Sequence, residues 1–208
     1  QEEGVIARAM KKSLISINTW QLRDFSSNNY KNVDEKPYGG GAGMVMQVKP
    51  IRDCISKIKK LNPNTKVIYL SPQGKKLDQN LVEELATFES ITMLCGRYEG
   101  VDERVIENDI DIEISIGDYV ISGGELAAMV VIDAISRRLP GVLGNEVSLK
   151  DSFTGNLLDC PHYTRPEVIN GQTVPKVLLS GDQAKIDAWR LEESIKITKQ
   201  KRPDLLLK

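Results

Sequence analysis

Lys66-Val67-Ile68-Tyr69-Leu70, followed at once by Ser71-Pro72-Gln73-Gly74, decides the fold. After Lys66 the four residues 67–70 are uncharged and show no polar face, so the stretch reads as a short buried strand, and the Pro-x-Gly stretch after it reads as a turn. The unit then repeats. A helix capped near Asp78 puts Leu81, Leu85 and Phe88 on one stripe, and Ile91-Thr92-Met93-Leu94-Cys95 is the next buried strand. The turn Gly96-Arg97-Tyr98-Glu99-Gly100, a short helix through Val105-Ile106 and a strand over residues 110–116 follow. After the loop 117–125 comes a long apolar helix, 126–139, ended by Pro140-Gly141. Alternation of strand and helix predicts a parallel α/β sheet with helices on both faces.

Upstream of this core, Ile51, Cys54, Ile55, Ile58 and Leu61 recur at three- and four-residue intervals, which predicts a helix stopping before Asn62-Pro63-Asn64. Residues 24–47 hold Gly39-Gly40-Gly41-Ala42-Gly43 and read as one long loop. Residues 14–20 alternate apolar and polar side chains and predict a half-buried strand. The chain opens on Gln1 without methionine and runs into what reads as the middle of a helix, so its native start is expected upstream.

The chain has 208 residues, enough for one or two domains with a proper core. Lys and Arg number 28 against 29 Asp and Glu, a net charge of -1 that excludes whole-surface binding of nucleic acid and requires any polyanion to meet a local patch. That patch is expected at the end of the chain, where residues 185–208 carry seven basic and four acidic side chains. The longest uncharged apolar stretch, 126–132, is far below the ~18 residues of a membrane helix, so no membrane partner is expected. Cys54, Cys95 and Cys160 lie far apart without C-x-x-C spacing, which indicates neither a disulfide framework nor a zinc site and fits a reducing cytoplasm.

Three turns, 71–74, 96–100 and 115–125, follow the carboxyl ends of predicted strands, where open α/β sheets bind ligands. The usual nucleotide motifs do not account for them. From Gly39 or Gly41 the sixth residue is Met44 or Met46, so G-x-G-x-x-G is absent, and Tyr69 stands where a P-loop before Gly74-Lys75 needs glycine. There is no G-x-S-x-G, and His162 is the only histidine, which leaves a hydrolase triad without support.

Five blocks in order resemble the bacterial tRNA (guanine-N1)-methyltransferase family. They are Pro37-Tyr38-Gly39-Gly40-Gly41-Ala42-Gly43-Met44; Tyr69-Leu70-Ser71-Pro72-Gln73-Gly74; the stretch from Cys95 through Gly96-Arg97-Tyr98-Glu99-Gly100 to Arg104; Ser115-Ile116-Gly117-Asp118-Tyr119 through Leu126; and Leu157-Leu158-Asp159-Cys160-Pro161-His162-Tyr163-Thr164-Arg165-Pro166-Glu167. Ala42 and Ala127 depart from the family, many of whose members carry proline there. The family also begins with a strand before the helix that Gln1 enters and continues beyond Lys208, so a sheet strand and part of the last domain are expected outside this chain.

The resemblance implies a SPOUT-type fold, in which the C-terminal part of the sheet domain forms a trefoil knot, plus a small helical C-terminal domain. The implied division is a knotted S-adenosylmethionine domain over 1–141, a mobile linker over 142–160 and an incomplete tRNA-binding domain over 161–208. The implied reaction is methyl transfer from S-adenosylmethionine to N1 of guanosine at tRNA position 37, in a homodimer with a shared site. Carried over by position, the cofactor site is Leu70, Ser71, Pro72, Gly96, Tyr98, Glu99, Ser115, Ile116, Tyr119, Ile121, Gly123 and Gly124. Asp151 matches the general base and Arg137 the cation facing O6, whereas the neighbouring Arg138 is expected in solvent. His162, Tyr163 and Arg165 match an RNA-contacting stretch, and Asp34 and Gly43 a loop completing the dimeric site. Magnesium is implied as well, with ligands that the many acids of residues 99–118 leave unchosen. Two rival readings stand: a SPOUT enzyme acting on ribosomal RNA or a ribose hydroxyl, and an RNA-binding module without catalysis.

Overall fold

The computed structural model describes residues 4–143 and 151–207, so the 144–150 part of the expected linker and the helix entry at 1–3 lie outside the described residues. The chain divides into two compact units, Gln1–Leu143 and Gly144–Lys208.

The first unit is built on three parallel strands, β3 (Lys66–Lys76), β4 (Ile91–Cys95) and β5 (Ile112–Ser115), in the order β4-β3-β5. Because successive residues of a strand face opposite sides, the apolar run of β3 feeds two cores at once. Val67 and Tyr69 join Ile51 and Ile55 of α2 (Val48–Leu61) and Val105 of α4 (Glu103–Asp109). Ile68 and Leu70 join Leu81 and Leu85 of α3 (Gln79–Leu85) and Ala127, Ala128 and Val131 of α5 (Gly124–Ser136). Each fully buried Leu, Ile or Val contributes about 1.5–3 kcal/mol relative to exposure, which is why this uncharged run holds the centre of the sheet. The parallel sheet flanked by helices is therefore as predicted. The Asp78 cap is also in place, its Oδ1 accepting from the Leu81 amide at 3.0 Å. A first helix, α1 (Gly4–Lys11), packs on α5.

Three expectations are corrected. Residues 14–20 are not a strand: they form no ladder with β4, and together with β4, α2 and α5 they line a cavity of about 1440 Å³. All seven of these residues line that cavity, and Leu14, Ile17 and Trp20 stay exposed, so the alternation does not mark a buried and a solvent face here. Residues 71–74 are not a simple turn but a bulge within β3, since Leu70 and Lys75 both pair with Ile114 and the four residues between them loop out. Gly74 makes this passable, because a Cβ there would overlap the Ile114 nitrogen and come within 2.7 Å of the Glu113 carbonyl oxygen. The long loop 24–47 contains a small hairpin, β1 (Asp34–Glu35) with β2 (Val45–Met46), and the glycines form its tip.

The second unit holds a compact loop from Asp151 to Cys160, a hairpin of β6 (Val168–Ile169) and β7 (Gln172–Thr173), and α6 (Gln183–Lys201). Asn170 and Gly171, with φ of 51° and 78°, make the two-residue reversal of that hairpin. Asp182 caps α6 through the Lys185 amide at 3.2 Å.

Candidate active site

Parallel pairing of β4, β3 and β5 brings their carboxyl ends to one edge, so the three Gly-containing segments emerge together. Gly123 and Gly124 open α5 against the β4 end: the Gly124 amide donates to the Gly96 carbonyl at 2.9 Å, and a Cβ on Gly124 would stand 2.8 Å from the Cys95 Cα. Gly124, expected in the loop, is thus the first helical residue, and only glycine permits this approach. Across the same contact the Arg97 Nε donates to the Glu125 Oε1 at 2.8 Å.

The remaining turns hold themselves. Ser115 Oγ donates to the Gly117 carbonyl at 3.0 Å, and the Gln73 amide donates to Ser71 Oγ at 3.1 Å. Leu70, Ser71 and Ser115 are buried, Ile116 and Ile121 half-buried, and Tyr98, Glu99, Pro72 and Tyr119 exposed. Tyr98 sits at φ 60°, an uncommon left-handed conformation for a residue other than glycine. The twelve residues expected at the cofactor lie within or beside the three segments that leave the carboxyl ends of β3, β4 and β5.

The glycine-rich hairpin reaches the same place. The Glu99 amide donates to the Met44 carbonyl at 3.0 Å, the Met46 amide to the Gly100 carbonyl at 2.9 Å, and the Arg97 amide to the Met46 sulfur at 3.3 Å. At Gly43, φ 81°, a Cβ would overlap the Glu99 carboxylate, so the absent side chain makes room for that acid. Asp34, half-buried, starts the hairpin.

Burial raises the Tyr69 hydroxyl, with Glu113 next in effect, and one Glu113 oxygen, Oε2, is buried with no hydrogen-bond partner among the described residues. Burial first, and then Glu125, push the Cys95 thiol up to about 11.

Arg137 follows the last turn of α5 as its C-cap and is half-buried. Arg138 is not simply solvated: its Nη2 pairs with Glu83 Oε1 of α3 at 2.9 Å. Asp151 is exposed on the second unit, at the start of the 151–160 loop. On that unit the Tyr163 ring lies 6.3 Å from that of Trp189 on α6, and Arg165 is exposed. His162 Nε2 lies 2.9 Å from Asp159 Oδ2.

Asp159 escaped the sequence reading, since nothing in spacing announces it. Its Oδ1 accepts from the Cys160 amide at 2.7 Å. Burial alone would raise its carboxyl, but the His162 and Cys160 hydrogen bonds together hold it below the usual carboxylate range. Asp159, Cys160 and His162 are the only three-donor group of metal-ligand type among the described residues, their donor atoms lying within 4.8 Å of one another. One sulfur, one nitrogen and one oxygen do not suit magnesium, which takes oxygen ligands, so these residues do not fit the ion the resemblance implied. The cationic tail is also weaker than its count, because Lys185, Arg190, Lys196 and Arg202 each pair with an acid nearby, Asp182, Asp187, Glu193 and Asp204.

A parallel sheet with glycine-lined segments converging at its carboxyl edge is the layout of an α/β ligand-binding protein. The sequence profile described as tRNA (Guanine-1)-methyltransferase TrmD matches residues 1–208. The tRNA (guanine-N(1)-)-methyltransferase of Vibrio vulnificus (strain YJ016) is 57% identical over 205 residues, covering 98% of this chain and 82% of that protein. The protein of the same name from Salmonella newport (strain SL254) is 58% identical over 205 residues, covering 98% and 80%. The chain belongs to the tRNA (guanine-1)-methyltransferase family and is an enzyme.

Proposed function

We propose that this enzyme transfers the methyl group of S-adenosylmethionine to N1 of guanosine at tRNA position 37. The observation that carries this reading is the convergence of the 71–74, 96–100 and 115–124 segments at one sheet edge in a chain of this family. The edge suits the cofactor: Leu70, Ile116 and Ile121 offer apolar walls, Tyr98 and Tyr119 exposed rings, and Gly96, Gly123 and Gly124 let main-chain groups come close. Ser71, Pro72 and Ser115 complete the wall, and Glu99 suits the cofactor's ammonium or the target base.

When bound, S-adenosylmethionine supplies an electrophilic methyl on a sulfonium. Guanine N1 carries a proton and is a poor nucleophile until it leaves, so Asp151 would take that proton as the N1–CH3 bond forms and the S–CH3 bond breaks, with the electron pair of the broken bond staying on sulfur as a neutral thioether, and Arg137 would meet the charge spreading onto O6. Tyr163 stacks on an unpaired base, while Arg165 and His162 contact RNA. No step is assigned to magnesium.

The finer architecture belongs to the same proposal. Residues 1–141 form the knotted SPOUT domain, and 161–208 the tRNA-binding domain. Leu126, Met129 and Val130, which are 60%, 53% and 48% exposed along α5, support a homodimer sharing its site. Among the described residues no helix is long and apolar enough to cross a membrane, and we place the enzyme in the cytoplasm. Methyl transfer from labelled cofactor to a tRNA transcript with guanosine at position 37, beside one with adenosine there, tests the reaction. Label on the first alone is expected; label on neither favours a non-catalytic module, and label on ribosomal RNA instead favours the other SPOUT reading.

A further inference from the structure

Thr198 has no exposed surface, and it is the one buried residue of α6. A buried hydroxyl needs partners. Its proton goes to the Ser194 carbonyl at 2.7 Å, one turn back on the helix, so the oxygen is left to accept, and it accepts from the Leu158 amide at 2.9 Å.

Leu158 belongs to the closing limb of the loop that begins at Asp151. At its mouth Ser152 Oγ accepts from the Asp159 amide at 3.0 Å, and the Phe153 amide donates to the Leu157 carbonyl at 2.6 Å. Between these ties the chain reverses through Phe153, Gly155 and Asn156, all at positive φ, 75°, 65° and 59°. Non-glycine residues in that region persist only where their surroundings hold them. The surroundings here are the two ties at the mouth and the third that runs to α6.

We infer that Thr198 is a positioning residue for methyl transfer: through the Leu158 amide and the Ser152 tie it sets, from α6, where the Asp151 carboxylate stands. The inference rests on Asp151 as the base. It makes one helix responsible both for the side of the unit that holds Tyr163, through Trp189, and for the aim of the proton acceptor.

Thr198→Val keeps the shape and removes the hydroxyl; Thr198→Ser keeps the hydroxyl and removes a methyl. Because a displacement of about 1 Å in a catalytic group costs on the order of a hundredfold, Thr198→Val is expected to lose about ten- to a hundredfold in kcat. Its KM for tRNA and its cofactor affinity stay within about twofold, the Leu158 amide exchanges hydrogen faster, and Thr198→Ser restores kcat. Full kcat in Thr198→Val, or an equal loss in Thr198→Ser, overturns the inference. Should Thr198→Val fail to fold, Ser152→Ala cuts the other tie and must show the same kcat-selective loss, and wild-type kcat there overturns the inference too. Asp151→Asn run in parallel separates the two readings. Activity in Asp151→Asn removes the base itself, whereas an inactive Asp151→Asn beside a fully active Thr198→Val removes only the positioning role.

Discussion

The Gly124 amide donates to the Gly96 carbonyl oxygen across 2.9 Å, so the first residue of α5 is fastened to the first residue after β4. A methyl group on Gly124 would sit 2.8 Å from the Cys95 Cα and 3.0 Å from the Gly96 nitrogen, both main-chain atoms that cannot swing aside. Gly124→Ala is expected to destabilise the protein by about 1–3 kcal/mol, as overpacking does. It should also weaken S-adenosylmethionine binding at least tenfold. Denaturant unfolding and a cofactor titration check both, and wild-type values in both would remove the fastening from the site.

Arg137 and Arg138 are adjacent and are expected to behave differently. Arg137→Ala should lower the single-turnover rate by about 10²–10³, the usual cost of a lost group that stabilises developing charge, with cofactor affinity unchanged. Arg138→Ala breaks the pair with Glu83 and should cost no more than about 1 kcal/mol of stability, leaving the rate alone. Equal rates in the two variants would strip Arg137 of its role.

The apolar face of α5 gives a test of assembly. Met129→Glu places a charge among Leu126 and Val130, and if the proposed homodimer forms, sedimentation should report a dimer for the wild type and a monomer for the variant. Methyl transfer should fall with it. A monomeric wild type would end the shared-site reading.

Two charge states are testable by pH. Burial holds the Cys54 and Cys95 thiols at about 11, so at pH 8 only about one in a thousand is thiolate and alkylation of the folded protein should be slow. Asp159 runs the other way. Its depressed carboxyl contributes stability above the unfolded carboxylate range, and that contribution is lost as pH falls through the folded value. Asp159→Asn should therefore be less stable than wild type at pH 7, with the gap closing at strongly acid pH. A gap that persists there would trace to packing instead.

Strong periodicity made much of the sheet unit legible. The helix at Val48–Leu61 and the strand at Ile91–Cys95 stand where their patterns put them, because long apolar stripes and buried runs bind local sequence to the core. Residues 14–20 show where a period misleads: alternation says that two sides differ, and cannot say that a neighbouring strand is within reach. The β6–β7 hairpin escaped for the opposite reason. Strands of two residues have no period to read, although Asn170-Gly171 announces the turn. In the candidate site the glycine turns were visible as composition, but the contacts of Gly43 with Glu99 and Thr198 with Leu158 join distant residues and leave no local trace.

The edge turns have a consequence for inhibition. The 96–100 turn and the start of α5 are held by main-chain bonds, Gly124 to Gly96 and Met46 to Gly100, and Gly74 and Gly124 have no room for a side chain. A compound that hydrogen-bonds to this backbone reads features that no side-chain replacement can erase, and the positions best placed to block it sterically are those where a bulkier residue damages the enzyme first. Resistance by point mutation at this edge should be rare and should carry a loss of fitness.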